Sequence, residues 1–352
     1  MQEPEIRVEH REVLTYLLAE AAEIEHGLMC CYLFASQSIG APAQRDQPPE
    51  RAARLRAWSQ DILAVARDEM LHLALVANLT NAIGASPHLL RPNFPVGTGY
   101  HPAGVVVSLA PFSLATMDHF VYLERPEGVE LADGAGFAPA REYARTLAHG
   151  RLVPSAQDYR TVGHLYRGIR AGIDALAESL GEEMLFCGDP QLQAGERRIV
   201  MPGLQPVVDV QSAHAAIDAI LAQGEGTAEA THDSHYCRFV RIRDELREIL
   251  RDEPGFEPTR GVARNPVMRR PPNPETLVWI DAEPAASVLD VGNALYMVMM
   301  RALDALFSPL ANAPVVADLA GDAAFTAMAA VTKIGELLTE LPASELHPGV
   351  RA

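Results

Sequence analysis

Residues 61–81 read DILAVARDEMLHLALVANLTN and carry the most informative pattern in the chain. Its apolar residues recur every three or four positions without an interrupting Gly or Pro, which predicts an amphipathic helix. Glu69 and His72 lie three residues apart, on one helix face within that apolar stripe. A carboxylate buried there costs several kcal/mol unless a cation meets it. A metal ion is one such cation, and an arginine such as Arg67 or Arg170 is the alternative.

A second apolar stripe, over residues 8–39, also contains a glutamate. Glu25 lies in this stripe, and Tyr32 follows it seven residues later on the same face. Only about ten residues separate this helix from the one predicted over 50–83, so the two can pack as antiparallel neighbours. Glu25 and Glu69 would then face each other. We expect Tyr32 beside them, either packed against the site or taking part in redox chemistry.

Composition limits the class of protein. The chain has 352 residues, 48% of them hydrophobic and 21% charged, as in globular proteins. A net charge of −17 argues against nucleic acid or an anionic membrane as the main partner. The first residues are polar, and we expect no apolar run to reach the roughly 20 residues of a membrane span. Four cysteines without C-x-x-C spacing disfavour zinc and fit reduced thiols in a cytoplasm.

The remaining chain is predicted to be mainly helical. We predict a bundle over 1–251 with a loop-rich insertion at 86–157, a Pro/Arg-rich connector at 252–274, and a C-terminal helical pair in 275–352 packed on the bundle. A small hairpin is expected near residues 199–208. Further helices are expected at 113–123, near 140–148, and at 158–180, 212–223, 234–250, 285–307 and 322–341.

Six ordered blocks of the sequence resemble one family. They are AEIEHGLMCCYLFASQSIG, RDEMLHLALVANLTNAIGASPHLLRPNFP, APFSLATMDHFVYLERPE, TVGHLYRGIRAGIDAL, AILAQGEGT and SHYCRFVRI. The chain resembles, from about residue 8 to 345, the ferritin-like domain family that includes the iminophenylpyruvate dimer synthases of bisindole pathways such as violacein and rebeccamycin. The resemblance implies a ferritin-like four-helix bundle with long loop insertions and additional C-terminal helices.

The resemblance also implies the missing half of a two-metal site. In such bundles two helices give one Glu each and two give Glu-x-x-His. Glu225 and His235 would be one Glu-x-x-His pair whose interior is opened by a loop. His164 stands where similar sequences have Glu. As a metal ligand it would make the site richer in nitrogen; otherwise one metal position would be weakened or lost. The expected ligands are therefore Glu25, Glu69, His72, His164, Glu225 and His235.

Carboxylates and imidazoles of this kind suit iron, in one or two ions, or manganese. The leading hypothesis is a non-haem di-iron oxidase or oxygenase that acts with dioxygen or peroxide on a small amino-acid-derived or aromatic metabolite. Glu25, Glu69, His72 and Tyr32 would carry the catalysis. Two alternatives are an imine-coupling enzyme and a non-catalytic metal-binding or iron-storage protein. A homodimer is a further expectation.

Overall fold

The computed structural model describes residues 4–97, 99–102, 104–137, 145, 156–195, 199, 201–225, 233–270, 277–345, 347 and 349–352. Within these residues the chain is mainly helical, and the predicted fold class is confirmed. The helices are α1 (Arg11–Ser38), α2 (Ala41–Arg45), α3 (Pro49–Ala82), α4 (Leu114–Leu123), α5 (Val162–Leu180), α6 (Glu182–Leu185), α7 (Val210–Gln223), α8 (His235–Asp252), α9 (Ala285–Leu306) and α10 (Pro314–Leu338).

The long helices α1 and α3 form the central pair and make the most extensive interhelical contact. Two shorter pairs complete the bundle: α4 packs on α8, and α5 packs on α7. Helix α1 also contacts α5, while α3 contacts both α7 and α8. Helices α4 and α5 thus make the third side of the bundle, and α7 and α8 make the fourth. In each of these sides the first helix ends and a second one follows, with the break after Leu123 in the third side and after Gln223 in the fourth.

Local sequence signals explain where several helices begin and end. Ser113 caps α4 by accepting a hydrogen bond from the backbone of Thr116, and Ser234 caps α8 by accepting one from the backbone of Cys237. Helix α7 begins at Val210 and not at the expected residue 212, since Asp209 caps it and Ser212 completes the capping box three residues later. Helix α3 stops before Gly84, whose φ of +76° disfavours any side chain.

The C-terminal helices share the core of the bundle. Met299, Met300, Leu306 and Phe307 belong to the same buried cluster as the inner faces of α1 and α3. The connector and the chain end form a smaller cluster around Ala263 and Ile280, joined by isolated backbone bridges. Residues 201–208 contain no paired strand, so the expected hairpin is not formed in the described part. The helix expected near 140–148 lies outside the described residues, apart from Arg145.

The length and hydropathy of helix α10 contradict one expectation from the sequence. Among the described residues it is the one helix that is long and apolar enough to cross a membrane, whereas we expected no such run from the sequence. Only 22% of its most apolar window is buried within the chain. Val315 and Leu319 are among its large exposed apolar side chains. Core helices of soluble proteins pass the same test, so the finding does not define a membrane span.

Candidate metal centre

Two groups of potential metal ligands lie in the bundle interior. Glu25, Glu69 and His72 form one group, and Glu69, Glu124 and His235 form the other. Within each group the candidate ligand atoms lie within 4.8 Å of one another, and all five side chains are buried. Glu69 belongs to both groups, so its two oxygens face two neighbouring positions. The arrangement is that of a carboxylate shared between two cation sites.

The imidazole of His72 is oriented by a residue from α7. Its Nε2 lies 2.9 Å from the side-chain oxygen of Gln223, which can accept only if Nε2 carries the proton. Its Nδ1 then faces Glu25 Oε2 at 3.3 Å and Glu69 Oε2 at 3.2 Å. A neutral His72 therefore presents a lone pair to two carboxylates, an arrangement that a cation between them would stabilise.

His235 repeats this arrangement in the second group. Its Nε2 lies 3.3 Å from Asp68 Oδ2, and its Nδ1 lies 3.1 Å from Glu69 Oε1 and 3.7 Å from Glu124 Oε2. The Nδ1 atom is buried and has no hydrogen-bond partner. Buried polar atoms without partners are rare in folded proteins, and a cation bound between Nδ1 and the two carboxylates would give this atom a partner. The positions of these donor atoms thus suit a bound metal ion.

Two buried tyrosines hold the outer oxygens of the carboxylates. Tyr166 in the first turns of α5 donates to Glu25 Oε1 at 2.5 Å, and Tyr32 in α1 donates to Glu124 Oε1. In both cases the other oxygen of the carboxylate faces a histidine. Burial, and then the negative charge of the neighbouring carboxylate, keep the pKa of each tyrosine well above its usual value. Both therefore stay protonated and act as fixed donors.

The metal-free site retains protons that a cation can replace. Burial, together with the charge of Glu69, raises the pKa of Glu25 to about 8. Burial disfavours the charged form of His72, but the charge of Glu69 and hydrogen bonds to both carboxylates outweigh it and raise the pKa to about 10. The pKa of His235 is also raised, because the nearby carboxylates of Asp68, Glu124 and Glu69 outweigh its burial. In the metal-free site, bound protons thus offset the repulsion between the neighbouring carboxylates.

Glu225 and His164 fall outside both groups. Glu225 follows the end of α7 and turns to Arg167, with Oε1 2.5 Å from the guanidinium, while Oε2 accepts from the backbone of Glu127 at 3.1 Å. It lines the small cavity at the site without joining the ligands. His164 precedes Tyr166 by two residues, which is about 200° around a helix, so the two cannot face the site together. The structure directs Tyr166 to it.

Glu124 is the site residue that sequence reasoning missed. It directly follows the apolar helix α4, where the sequence indicated only the start of a loop-rich segment. The available signal was a carboxylate at the end of an apolar run, and the Tyr32 hydroxyl that holds it lies 92 residues away in sequence. The arginine alternative is not realised, since Arg67 is exposed and Arg170 pairs with Asp218.

Glu124→Gln is expected to weaken the second metal position, because an amide brings no negative charge to the group with His235. We expect roughly 10–100-fold lower affinity for the second ion, with the first retained. Titration of Fe(II) or Mn(II) into metal-free protein, followed calorimetrically, measures this. Glu225→Gln and His164→Ala are the matched controls and should bind metal as the wild type does. Equal losses in Glu124→Gln and Glu225→Gln would contradict the assignment.

Comparisons with known proteins agree with this architecture. Residues 18–244 match the model of the Ferritin-like family. The chain is 29% identical over 94% of its length to dichlorochromopyrrolate synthase of Lentzea aerocolonigenes, covering 35% of that protein. It is 29% identical over 76% of its length to 2-imino-3-(indol-3-yl)propanoate dimerase of Chromobacterium violaceum, covering 26% of that protein. The chain thus spans about a third or less of these relatives.

A solved structure gives the same result for the fold. The crystal structure of a ferritin-like protein from Caulobacter vibrioides superposes with a TM-score of 0.53 at 19% identity, covering 94% of this chain and 98% of that one. The family match covers well over half of the chain and includes most of α1, all of α3 and the site residues Glu25 to His235. The resemblance drawn from the sequence blocks is therefore confirmed, and the chain belongs to the ferritin-like family.

Proposed function

We propose that this chain is a metal-dependent enzyme that joins two molecules of an aromatic, amino-acid-derived imine. The observation that carries the proposal is the similarity, over 76% of the chain, to a protein named as a dimerase of 2-imino-3-(indol-3-yl)propanoate. The second relative, a dichlorochromopyrrolate synthase, also carries the name of an enzyme. Coupling therefore takes precedence over the oxygenase reaction that the ligand types alone favoured.

The buried donor set supports a redox metal in this role. Three carboxylates and two imidazoles suit iron or manganese, which when bound would supply electron transfer and Lewis-acid polarisation. The protein's own contribution is to fix the donors. Tyr32 holds one carboxylate and packs against Phe120 and Phe239, with ring centroids 4.7 and 4.9 Å away. This packing excludes water from the inner side of the site.

The coupling reaction requires an electron acceptor. A carbon–carbon bond between two imines replaces one C–H bond in each, so two protons and two electrons leave the pair. Dioxygen or peroxide is the electron acceptor in the proposal, as expected for an enzyme with this donor set.

A cytoplasmic location and a homodimer remain predictions.

The substrate would bind at the edge of the site, since the cavity beside the ligands has a volume of only about 20 Å³. That is room for about one water-sized species. The cavity is bordered by the residues that follow α4 and α7, including Arg125 and Gly224. The guanidinium of Arg125 is held by the backbone carbonyls of Tyr122 and Arg160. Its positive charge suits the carboxylate of an imino acid at this edge.

An oxidase or oxygenase is the second candidate, because the same donor set supports oxidation of a single substrate molecule. Metal storage is less favoured. The small cavity has no room for a mineral core, and the C-terminal helices cover one side of the α1–α3 pair.

Incubation of the iron-loaded protein with an imine made in situ tests the proposal. An L-amino acid oxidase supplies the imine from tryptophan or phenylalanine, and mass spectrometry identifies the product. We expect a species of twice the imine mass less two hydrogens. Glu69→Ala protein should form none above the uncatalysed background, which controls for spontaneous coupling. A monomer that gains oxygen would favour the oxygenase, and no metal-dependent product at all would contradict both functions.

A further inference from the structure

A second cavity lies on a different face of the α1–α3 pair from the metal centre. Helices α1, α3, α9 and α10 provide most of its lining, and its volume is about 150 Å³. On α1 it is lined by His26, Cys30 and Leu33, whereas the metal centre takes Glu25 and Tyr32 from the same helix. No ligand of the metal centre lines this cavity among the described residues. The cavity is therefore separate from the metal centre and is lined by different residues.

The walls of this cavity are apolar and adaptable. Among the described residues that line it, none is Asp, Glu, Lys or Arg. Six methionines contribute, out of eleven in the chain. Unbranched thioether side chains adjust to different shapes and make favourable contacts with aromatic rings. The six are Met29, Met70, Met201, Met299, Met300 and Met328.

One edge of the cavity is polar, but its groups bond to one another. His26 Nδ1 lies 2.7 Å from the backbone oxygen of Leu89, so Nδ1 carries the proton and Nε2 accepts from the Tyr296 hydroxyl. The same hydroxyl accepts from Arg91 Nε at 3.1 Å. Cys30 Sγ lies 3.9 Å from it. A ligand would meet no unpaired charge here, and a charged ligand would lose its hydration without compensation.

We propose that this cavity binds a neutral aromatic molecule of about one ring. An engineered protein cavity of about 150 Å³ lined by apolar side chains stays dry and binds benzene, and the volume here is the same. The methionine sulfurs supply contacts to the ring, and the absence of a lining Lys or Arg among the described residues selects neutral molecules over anions. This proposal does not depend on the coupling reaction, because imino acids are anions and the two sites share no ligand residue.

The reactivity of the Cys30 thiol can report whether the cavity is occupied. Its thiol is partly exposed and lines the cavity, so a bound ring would block access to it. Burial raises the pKa of Cys30, but the charge of Arg91 and the neighbouring His26 outweigh it and lower the pKa to about 6. The thiol is therefore reactive near neutral pH. Cys187 is exposed elsewhere and provides an internal control.

The experiment follows alkylation of each cysteine by iodoacetamide, with and without toluene, by mass spectrometry of the full-length protein's peptides. At a toluene concentration of about four times its dissociation constant, mass action predicts that Cys30 reacts about fivefold more slowly. Cys187 should react at an unchanged rate. Benzoate, which has the same ring with a negative charge, should not protect Cys30 at the same concentration.

Tryptophan variants locate the binding. Met328→Trp places a ring in the cavity from α10 and should abolish protection by toluene, whereas Ala329→Trp, at the next and exposed position, should retain it. Leu303→Trp fills the cavity from α9 if Met328→Trp fails to fold. Protection that persists in the filled variants would overturn the proposal. Equal protection by benzoate, or none by toluene up to its solubility limit, would overturn it too.

Discussion

Glu69→Ala is expected to abolish metal binding at both positions of the site. Glu69 is the one side chain common to the two ligand groups, whereas His72 and His235 each belong to one. We expect affinity for both ions to fall by more than about 100-fold, since even loss of an outer partner of a ligand typically costs 10–100-fold. His72→Ala and His235→Ala should each lose one ion and retain the other. Elemental analysis of protein dialysed against Fe(II) or Mn(II) measures the stoichiometry.

The fold is expected to survive these changes, because the apolar faces of α1 and α3 remain packed. Far-UV circular dichroism recorded on the same samples checks this. Asp61→Ala is the matched control on α3, since Asp61 pairs at the surface with Arg241. That variant should bind metal normally. Full metal content in Glu69→Ala would remove this residue from the site, and identical losses in all three ligand variants would contradict two separate positions.

The metal-free protein is expected to lose stability as the pH rises from about 6 to 9. The folded-state pKa of Glu25 is raised from 4.5 to about 8, so its contribution is complete below pH 4.5 and is lost as the pH rises through 8. The folded-state pKa of His72 is raised from 6.5 to about 10, and its contribution is lost over a higher range. Each proton held only by the folded state lowers stability by about 1.4 kcal/mol per pH unit.

The neighbouring groups do not reverse this trend. The pKa of His235 is raised as well, so His235 acts in the same direction. Hydrogen bonding to Glu25 and the charge of His72 outweigh burial and lower the pKa of Glu69, whose contribution is already complete above 4.5. A bound metal ion replaces the protons, so its affinity should rise over the same range. Metal-loaded protein should therefore become more stable, relative to metal-free protein, as the pH rises.

Thermal unfolding of metal-free and metal-loaded protein at pH 6, 7, 8 and 9 tests this expectation. Glu25→Gln keeps the shape of a protonated glutamate and cannot titrate, so its metal-free stability should depend less steeply on pH. Glu225→Gln changes a nearby carboxylate that pairs with Arg167 outside the ligand groups, and it serves as the control. A metal-free melting temperature that is constant or rises over this range would contradict the proton-held site.

Much of the bundle follows from local sequence. The apolar period of three and four residues placed α1 and α3 to within a few residues of their observed ends, because the helix phase depends on short-range geometry. The same phase put Glu25, Glu69 and His72 on the facing sides of two antiparallel helices. His235 was placed by its resemblance block, and its position directly after the cap of α8 fixes its direction into the bundle.

Tertiary structure alone decided which other residues complete the site. Glu124 and Glu225 both lie just beyond the end of a helix, so helix phase does not set their direction. Each side chain turns to a distant partner: Glu124 to the buried hydroxyl of Tyr32, and Glu225 to the guanidinium of Arg167. His164 was excluded by the rotation of α5, which directs Tyr166 to Glu25. The sequence by itself determined the fold and the α1–α3 half of the site through local periodicity, whereas long-range contacts decided the rest.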